Sequence, residues 1–155
     1  MYLQLIRNPS FETDEAWEIP HTVHPATYSF SRGHTGWRSM CLGIPAGGNE
    51  YSYSSAQQIV EIPEGVTEAT LTFYYWPVMA WPDADRIYFC VLRASDDLAL
   101  QTTVWADYEQ AWHQRTFDLR AYAGQRIKVH VGVRNDGLDR ISSVYLDDVE
   151  LWVRW

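Results

Sequence analysis

Positive charge is scarce in this chain. Twelve Lys and Arg stand against 20 Asp and Glu in 155 residues, a formal net charge of -8. A surface of that sign repels phosphate backbones, and no basic cluster interrupts it, so nucleic acid is excluded as a partner. Cysteine is rarer still. Cys41 and Cys90 form no CxxC pair, which argues against a zinc site. They read as free thiols, with one disulfide left for geometry to decide. No apolar run approaches the roughly 20 residues of a membrane-spanning helix. The opening MYLQLIRNPSFE has neither a charged start with a long apolar stretch nor a cleavage site, so it is not read as a signal peptide. Helical periodicity is missing too, apart from one possible turn near 119–124, with Asp118 placed to cap it and Gly124 to end it. Nucleophile elbows, zinc motifs and glycine-rich phosphate loops are all absent.

What is present is strand after strand. Apolar and polar residues alternate over 57–62, 69–75, 86–92, 99–105, 112–119, 126–133 and 144–153, with shorter strands at 27–31 and 38–42. Turn residues separate them, as in PAGGN (45–49), PEGV (63–66) and NDG (135–137). About nine strands with no helix predict an all-β, antiparallel β-sandwich or barrel, as a single domain over 1–155. Alternation also assigns faces. Ile127, Val129, Val131 and Val133 go inward; Lys128, His130, Gly132 and Arg134 go outward. Leu71, Phe73 and Tyr75 go inward; Thr72, Tyr74 and Trp76 go outward. Ile87, Phe89 and Val91 oppose Tyr88 and Cys90. In the last strand, Tyr145 and Asp147 are expected on the core face with Val149, Leu151 and Val153.

Aromatic residues are in surplus: eight Trp and ten Tyr. Displayed rings offer a flat apolar face and a polar edge, the surface on which sugar C–H faces stack. The candidate ligand-binding residues are Tyr74, Trp76, Trp81 and Tyr88, with His130 and Arg134 as polar readers. Trp76 to Trp81 belong to an apolar segment between two strands, the kind of surface that makes contacts. Trp17, Trp37 and Trp112 read as structural. Paired acids for glycoside cleavage are available at Asp83 with Asp85, or Asp107 with Glu109, but all lie in turns where acids serve solubility, so an enzyme is not expected. His21 and His24 lack a third ligand of matching type nearby.

An ordered set of short motifs runs through nearly the whole chain. It opens with Asn8-Pro9-Ser10-Phe11-Glu12 and Trp17, followed by His34-Thr35-Gly36-Trp37-Arg38-Ser39. Then come Gln57 and Gln58 before Ile62-Pro63, the strand LTFYYW, Trp112 before FDLRAYAGQ (117–125), and the closing Tyr145-Leu146-Asp147-Asp148-Val149-Glu150-Leu151. The set resembles the galactose-binding-domain-like β-jelly rolls, which include carbohydrate-binding modules of bacterial secreted proteins. That resemblance implies a jelly-roll topology and a non-catalytic, extracellular or cell-surface accessory module, part of a longer secreted protein. Its ligand would be a poly- or oligosaccharide. It also implies a structural Ca²⁺ near the termini, held by Glu12, Asp147 and backbone carbonyls of the loop from Arg32 to Gly36. A buried carboxylate needs such compensation, and hard oxygen donors suit calcium. The alternative is a protein-interaction or assembly domain using the same aromatic surface.

Overall fold

A computed structural model describes residues 1–155. Ten strands form it: β1 (Tyr2–Gln4), β2 (Thr27–Ser29), β3 (Ser39–Gly43), β4 (Tyr51–Glu61), β5 (Glu68–Val78), β6 (Arg86–Arg93), β7 (Ala99–Trp105), β8 (His113–Asp118), β9 (Arg126–Asp136) and β10 (Ser143–Arg154). They make two antiparallel sheets packed as a sandwich. One has the order β2-β3-β10-β5-β8, with β1 also paired to β10; the other runs β4-β9-β6-β7. The first and last strands therefore tie the ends together, Tyr2 opposite Arg154. The expected turn is a short 3-10 segment, Arg120–Tyr122, where the Asp118 carboxylate accepts the Arg120 N–H at 3.0 Å. Gly124 follows at φ +79°, a left-handed conformation that glycine adopts without cost.

Period-two patterning builds the layers. Along β5, burial alternates without interruption, so Ala69, Leu71, Phe73, Tyr75 and Pro77 face the core. Ile127, Val129, Val131 and Val133 of β9 do the same from the facing sheet. Aromatic rings close the centre. Phe89 of β6 stacks on Phe117 of β8 at 4.2 Å, and Phe73 lies 5.8 Å from Phe117, so these contacts bridge both sheets. Each fully buried ring contributes roughly 1.5–3 kcal/mol of apolar transfer before packing is counted. Cys41 and Cys90 sit in different sheets and are free thiols.

β10 departs from the expected pattern. Its register to β5 slips between Asp147 and Glu150, and Asp148 takes φ +50°. Asp147 opposes Tyr74 and Glu150 opposes Thr72, so two residues of β10 face Phe73 alone, which is a β-bulge. The alternation reverses there. Val144 and Leu146 are core residues before the bulge; Val149, Leu151 and Val153 are core residues after it. Tyr145 and Asp147 thus lie on the outer face with Trp76 and Tyr74, not with Val149. Strand β4 also begins at Tyr51, six positions earlier than its serine-rich start suggests.

Candidate functional site

The outer face of the larger sheet is roofed by the chain itself. The segment between β2 and β3 folds across it. Arg32 places its guanidinium 4.0 Å from the Trp76 ring centroid and 5.4 Å from that of Tyr145. His34 stacks on Tyr74 at 3.8 Å, and Trp112 meets His34 and Trp76 edge-on at 5.2 and 5.8 Å. Tyr74 and Trp76, expected as sugar platforms, already have internal groups on their faces.

Glu12 and Asp147 clasp the same segment. Glu12 accepts the N–H groups of Trp37 and Arg38, both at 2.8 Å. Asp147 accepts those of His34 at 2.8 Å, Thr35 at 3.2 Å and Asp148 at 2.8 Å. Gly36 sits between them at φ +65°, a conformation that favours glycine, and a Cβ there would displace the Glu12 carboxylate, 2.3 Å away. Asp148 accepts from Ser10 and Thr35 and meets His34 Nδ1 at 2.6 Å. Burial first, and then the charge of Asp148, push the Asp147 carboxyl up to about 7. Neither aspartate is paired with Lys or Arg. Adjacent carboxylates are hard oxygen donors of the kind calcium takes, and here each of their oxygens also meets a polar group of the chain. No group of three or more His, Cys, Asp or Glu side chains is gathered here, so carbonyl oxygens would have to complete the shell. The side chain of Arg32 is engaged with the rings, which leaves its backbone oxygen for that role.

The outer face of the smaller sheet is different: it is open. A cleft of ≈ 450 Å³ lies on it, lined by Tyr53, Arg86, Tyr88, Cys90, Thr102, Val104 and Arg134. These residues come from four strands at alternate positions, as outward-facing residues must. Strand register arranges them in rows. Tyr53 and Arg86 flank Arg134, while Tyr88 lies between Gly132 and Val104. The Tyr88 ring lies against Gly132, and Tyr53 meets it edge-on at 5.9 Å. Tyr51 extends the row, its ring 5.8 Å from Tyr53.

A polar chain supports this floor. His130 stacks on Tyr88 at 5.6 Å, its Nε2 3.5 Å from the Tyr88 hydroxyl. Its Nδ1 is 2.8 Å from Gln57 Oε1, and Gln57 Nε2 donates to Glu18 at 2.7 Å. Glu18 accepts only, so Gln57 presents its oxygen to His130, and Nδ1 carries the proton. Burial lowers the His130 pKa to about 4, so the imidazole is neutral at physiological pH. Burial also raises the Tyr88 phenol well above its ordinary value, so it stays protonated.

The loop between β5 and β6 borders the cleft residues. Arg86 donates to the Asp85 and Asp83 carbonyls at 2.8 and 3.3 Å, and Arg134 to the Ala84 carbonyl at 2.9 Å. Asp83 pairs with Arg140 at 3.1 Å. Asp85 is fully buried and accepts from Ser142 Oγ at 2.6 Å and the Asp136 N–H at 2.8 Å. Asp107 accepts from the Tyr75 hydroxyl at 2.9 Å. Three of the four acids considered for catalysis, Asp83, Asp85 and Asp107, are thus engaged with partners inside the chain.

Of the residues expected to bind ligand, Tyr88, His130 and Arg134 are brought together. Tyr74 and Trp76 lie on the opposite side of the sandwich. Trp81 stands on the β5–β6 loop, 73% exposed and edge-on to Tyr108 at 5.7 Å. Trp17 is buried, its indole N–H donating to the Asn8 carbonyl at 2.9 Å, but Trp37 is 81% exposed and structural in no visible way. Sequence reasoning missed Tyr53, Arg86, Thr102 and Val104. A signal for two of them existed: Arg86 precedes Tyr88 by two, and the alternation Tyr51-Ser52-Tyr53 marks one outward face.

The fold is the β-sandwich of carbohydrate-binding modules. A family 61 module solved with β-1,4-galactotriose superposes with a TM-score of 0.67 at 19% identity, covering 94% of each chain. A family 16 module gives 0.59 at 16%, covering 95% of this chain and 98% of the other. A family 4 module gives 0.60 at 16%, covering 96% and 99%. An α-L-arabinofuranosidase also matches, but over only 26% of its own length. No protein-family model and no curated protein matches the sequence. No helix is long and apolar enough to cross a membrane.

Proposed function

We propose that this chain is a non-catalytic carbohydrate-binding module whose glycan lies across the outer face of the β4-β9-β6-β7 sheet. The observation that carries this reading is the open cleft floored by Tyr88 and edged by Tyr53. The Tyr88 ring is backed on one side by Gly132 and held from behind by His130. Arg86, Arg134 and Thr102 supply hydrogen bonds to hydroxyls around it. On this reading the domain works outside the cell, within a longer protein that it anchors to a polysaccharide. A calcium ion held by Glu12, Asp147 and the carbonyls of Arg32 and Gly36 locks the roofing segment in place.

The test is retardation in gels containing polysaccharide, with β-1,4-galactan included because a similar module was solved with a galactotriose. Tyr88→Ala and Tyr53→Ala are each expected to weaken retention about tenfold, from the loss of ring contact. Absence of retention on every glycan of a broad array would move the chain to the protein-docking reading.

A further inference from the structure

The cleft concentrates unpaired positive charge on an acidic molecule. Arg38, Arg93, Lys128, Arg140 and Arg154 are each in an ion pair with a carboxylate. Seven arginines are not, and of these only Arg86 and Arg134 line one cleft together. They are register partners across β6 and β9, and Tyr53 faces Arg134 from the other side. Their contacts are to the peptide oxygens of residues 83–85, which position the two guanidiniums without neutralising them. Each keeps N–H donors free, since a guanidinium has five. Nearby acids are turned elsewhere. Asp83 holds Arg140, Asp85 is buried against Ser142, and Asp136 accepts the Leu138 N–H at 2.9 Å.

We infer that the cleft selects an anionic sugar, a uronate or a sulfated unit, with its acidic group between Arg86 and Arg134 and its ring on Tyr88. This rests on the proposed sugar-binding reading and narrows it. Two adjacent planar donors match a carboxylate or sulfate better than a neutral hydroxyl. The net charge of -8 does not forbid it. At physiological salt, charges more than about 8 Å away are largely screened, so the two local arginines outweigh distant acids.

The experiment compares affinities for neutral β-1,4-galactan, polygalacturonate and a sulfated galactan at low and high NaCl. Either anionic polymer is expected to bind at least about tenfold more tightly than the neutral one, one charge-assisted hydrogen bond being worth that much. The two anionic arms tell carboxylate from sulfate. Binding should weaken as NaCl rises. Arg86→Gln and Arg134→Gln should each lose about tenfold for the anionic polymer, with Arg134→Lys intermediate. Melting curves establish that the variants fold, and the salt dependence of the unaltered chain decides the matter if they do not. Equal affinity for the neutral galactan, or binding indifferent to salt, overturns the inference and leaves the sugar-binding reading standing. Retention on none of the three polymers also overturns the inference, and the broad glycan array then decides the sugar-binding reading separately.

Discussion

Tyr88 occupies the space that any side chain at position 132 would need. A Cβ on Gly132 would lie 2.4 Å from both Cζ and the hydroxyl oxygen of Tyr88, far inside van der Waals contact. Glycine inside a strand often marks such a close approach. Here it lets an aromatic ring from β6 lie down across β9 and become the floor of the cleft.

Gly132→Ala therefore separates binding from folding. The clashing atoms are the far end of a side chain that can swing into solvent, so the fold is expected to tolerate the change, with a stability loss within about 1 kcal/mol. Glycan retention should fall as strongly as in Tyr88→Ala. Retention unchanged in a folded Gly132→Ala protein would remove Tyr88 from the proposed site.

Trp76→Ala should behave in the opposite way. Its ring lies beneath Arg32 on the roofed face, and its removal also frees a guanidinium and an edge of Trp112. Loss of such a packed ring costs about 2–4 kcal/mol. Urea denaturation should show that loss, while glycan affinity of the folded variant stays within about twofold of the parent on the scale where 1.4 kcal/mol is tenfold. A specific loss of binding at unchanged stability would return Trp76 to the candidate site.

His130 makes stability fall in acid. Its folded pKa, about 4, lies below the ordinary 6.5. The unfolded chain takes up a proton that the folded chain refuses. The contribution of neutral His130 is therefore complete above about pH 6.5 and is lost as pH falls toward 4. The shift corresponds to up to about 3 kcal/mol. His130→Gln should flatten the stability profile in that window. Parallel profiles for both proteins between pH 6.5 and 4 would show that His130 is not the group responsible.

Chelation tests the calcium proposal. At a free ion concentration 100 times the dissociation constant, a bound ion stabilises by about 2.7 kcal/mol. For a domain of this size, that is roughly 5–10 °C in Tm. A chelator should lower Tm by that amount, excess calcium should restore it, and Asp147→Asn should abolish the response. A Tm indifferent to chelator would leave Glu12 and Asp147 as acceptors for the loop amides alone.

Much of the fold was legible in the chain because its signals are local. Alternation in β5, β6 and β9 marked the core faces, and Tyr88, His130 and Arg134 fell on the outward side by the same rule. The resemblance carried by the opening and closing motifs, rather than any local pattern, implied that Glu12 and Asp147 serve one site. The bulge was not legible. Nothing in Asp147-Asp148-Val149 announces that Asp148 adopts φ +50° and turns Asp147 to the other face of the sheet.

Sequence alone determined an all-β sandwich, rich in aromatic rings and poor in positive charge, because strand period and composition are properties of neighbouring residues. Tertiary structure decided which rings are free. Tyr74 and Tyr88 look alike along the chain, both outward-facing on long strands. One is roofed by His34, forty residues upstream, and the other lies in an open cleft between Gly132 and Val104. That difference comes from pairings and coverings between distant segments, which no local pattern encodes. The same holds for Arg86 and Arg134: only the β6–β9 register makes them neighbours, and only the loop at 83–85 leaves their charge unpaired.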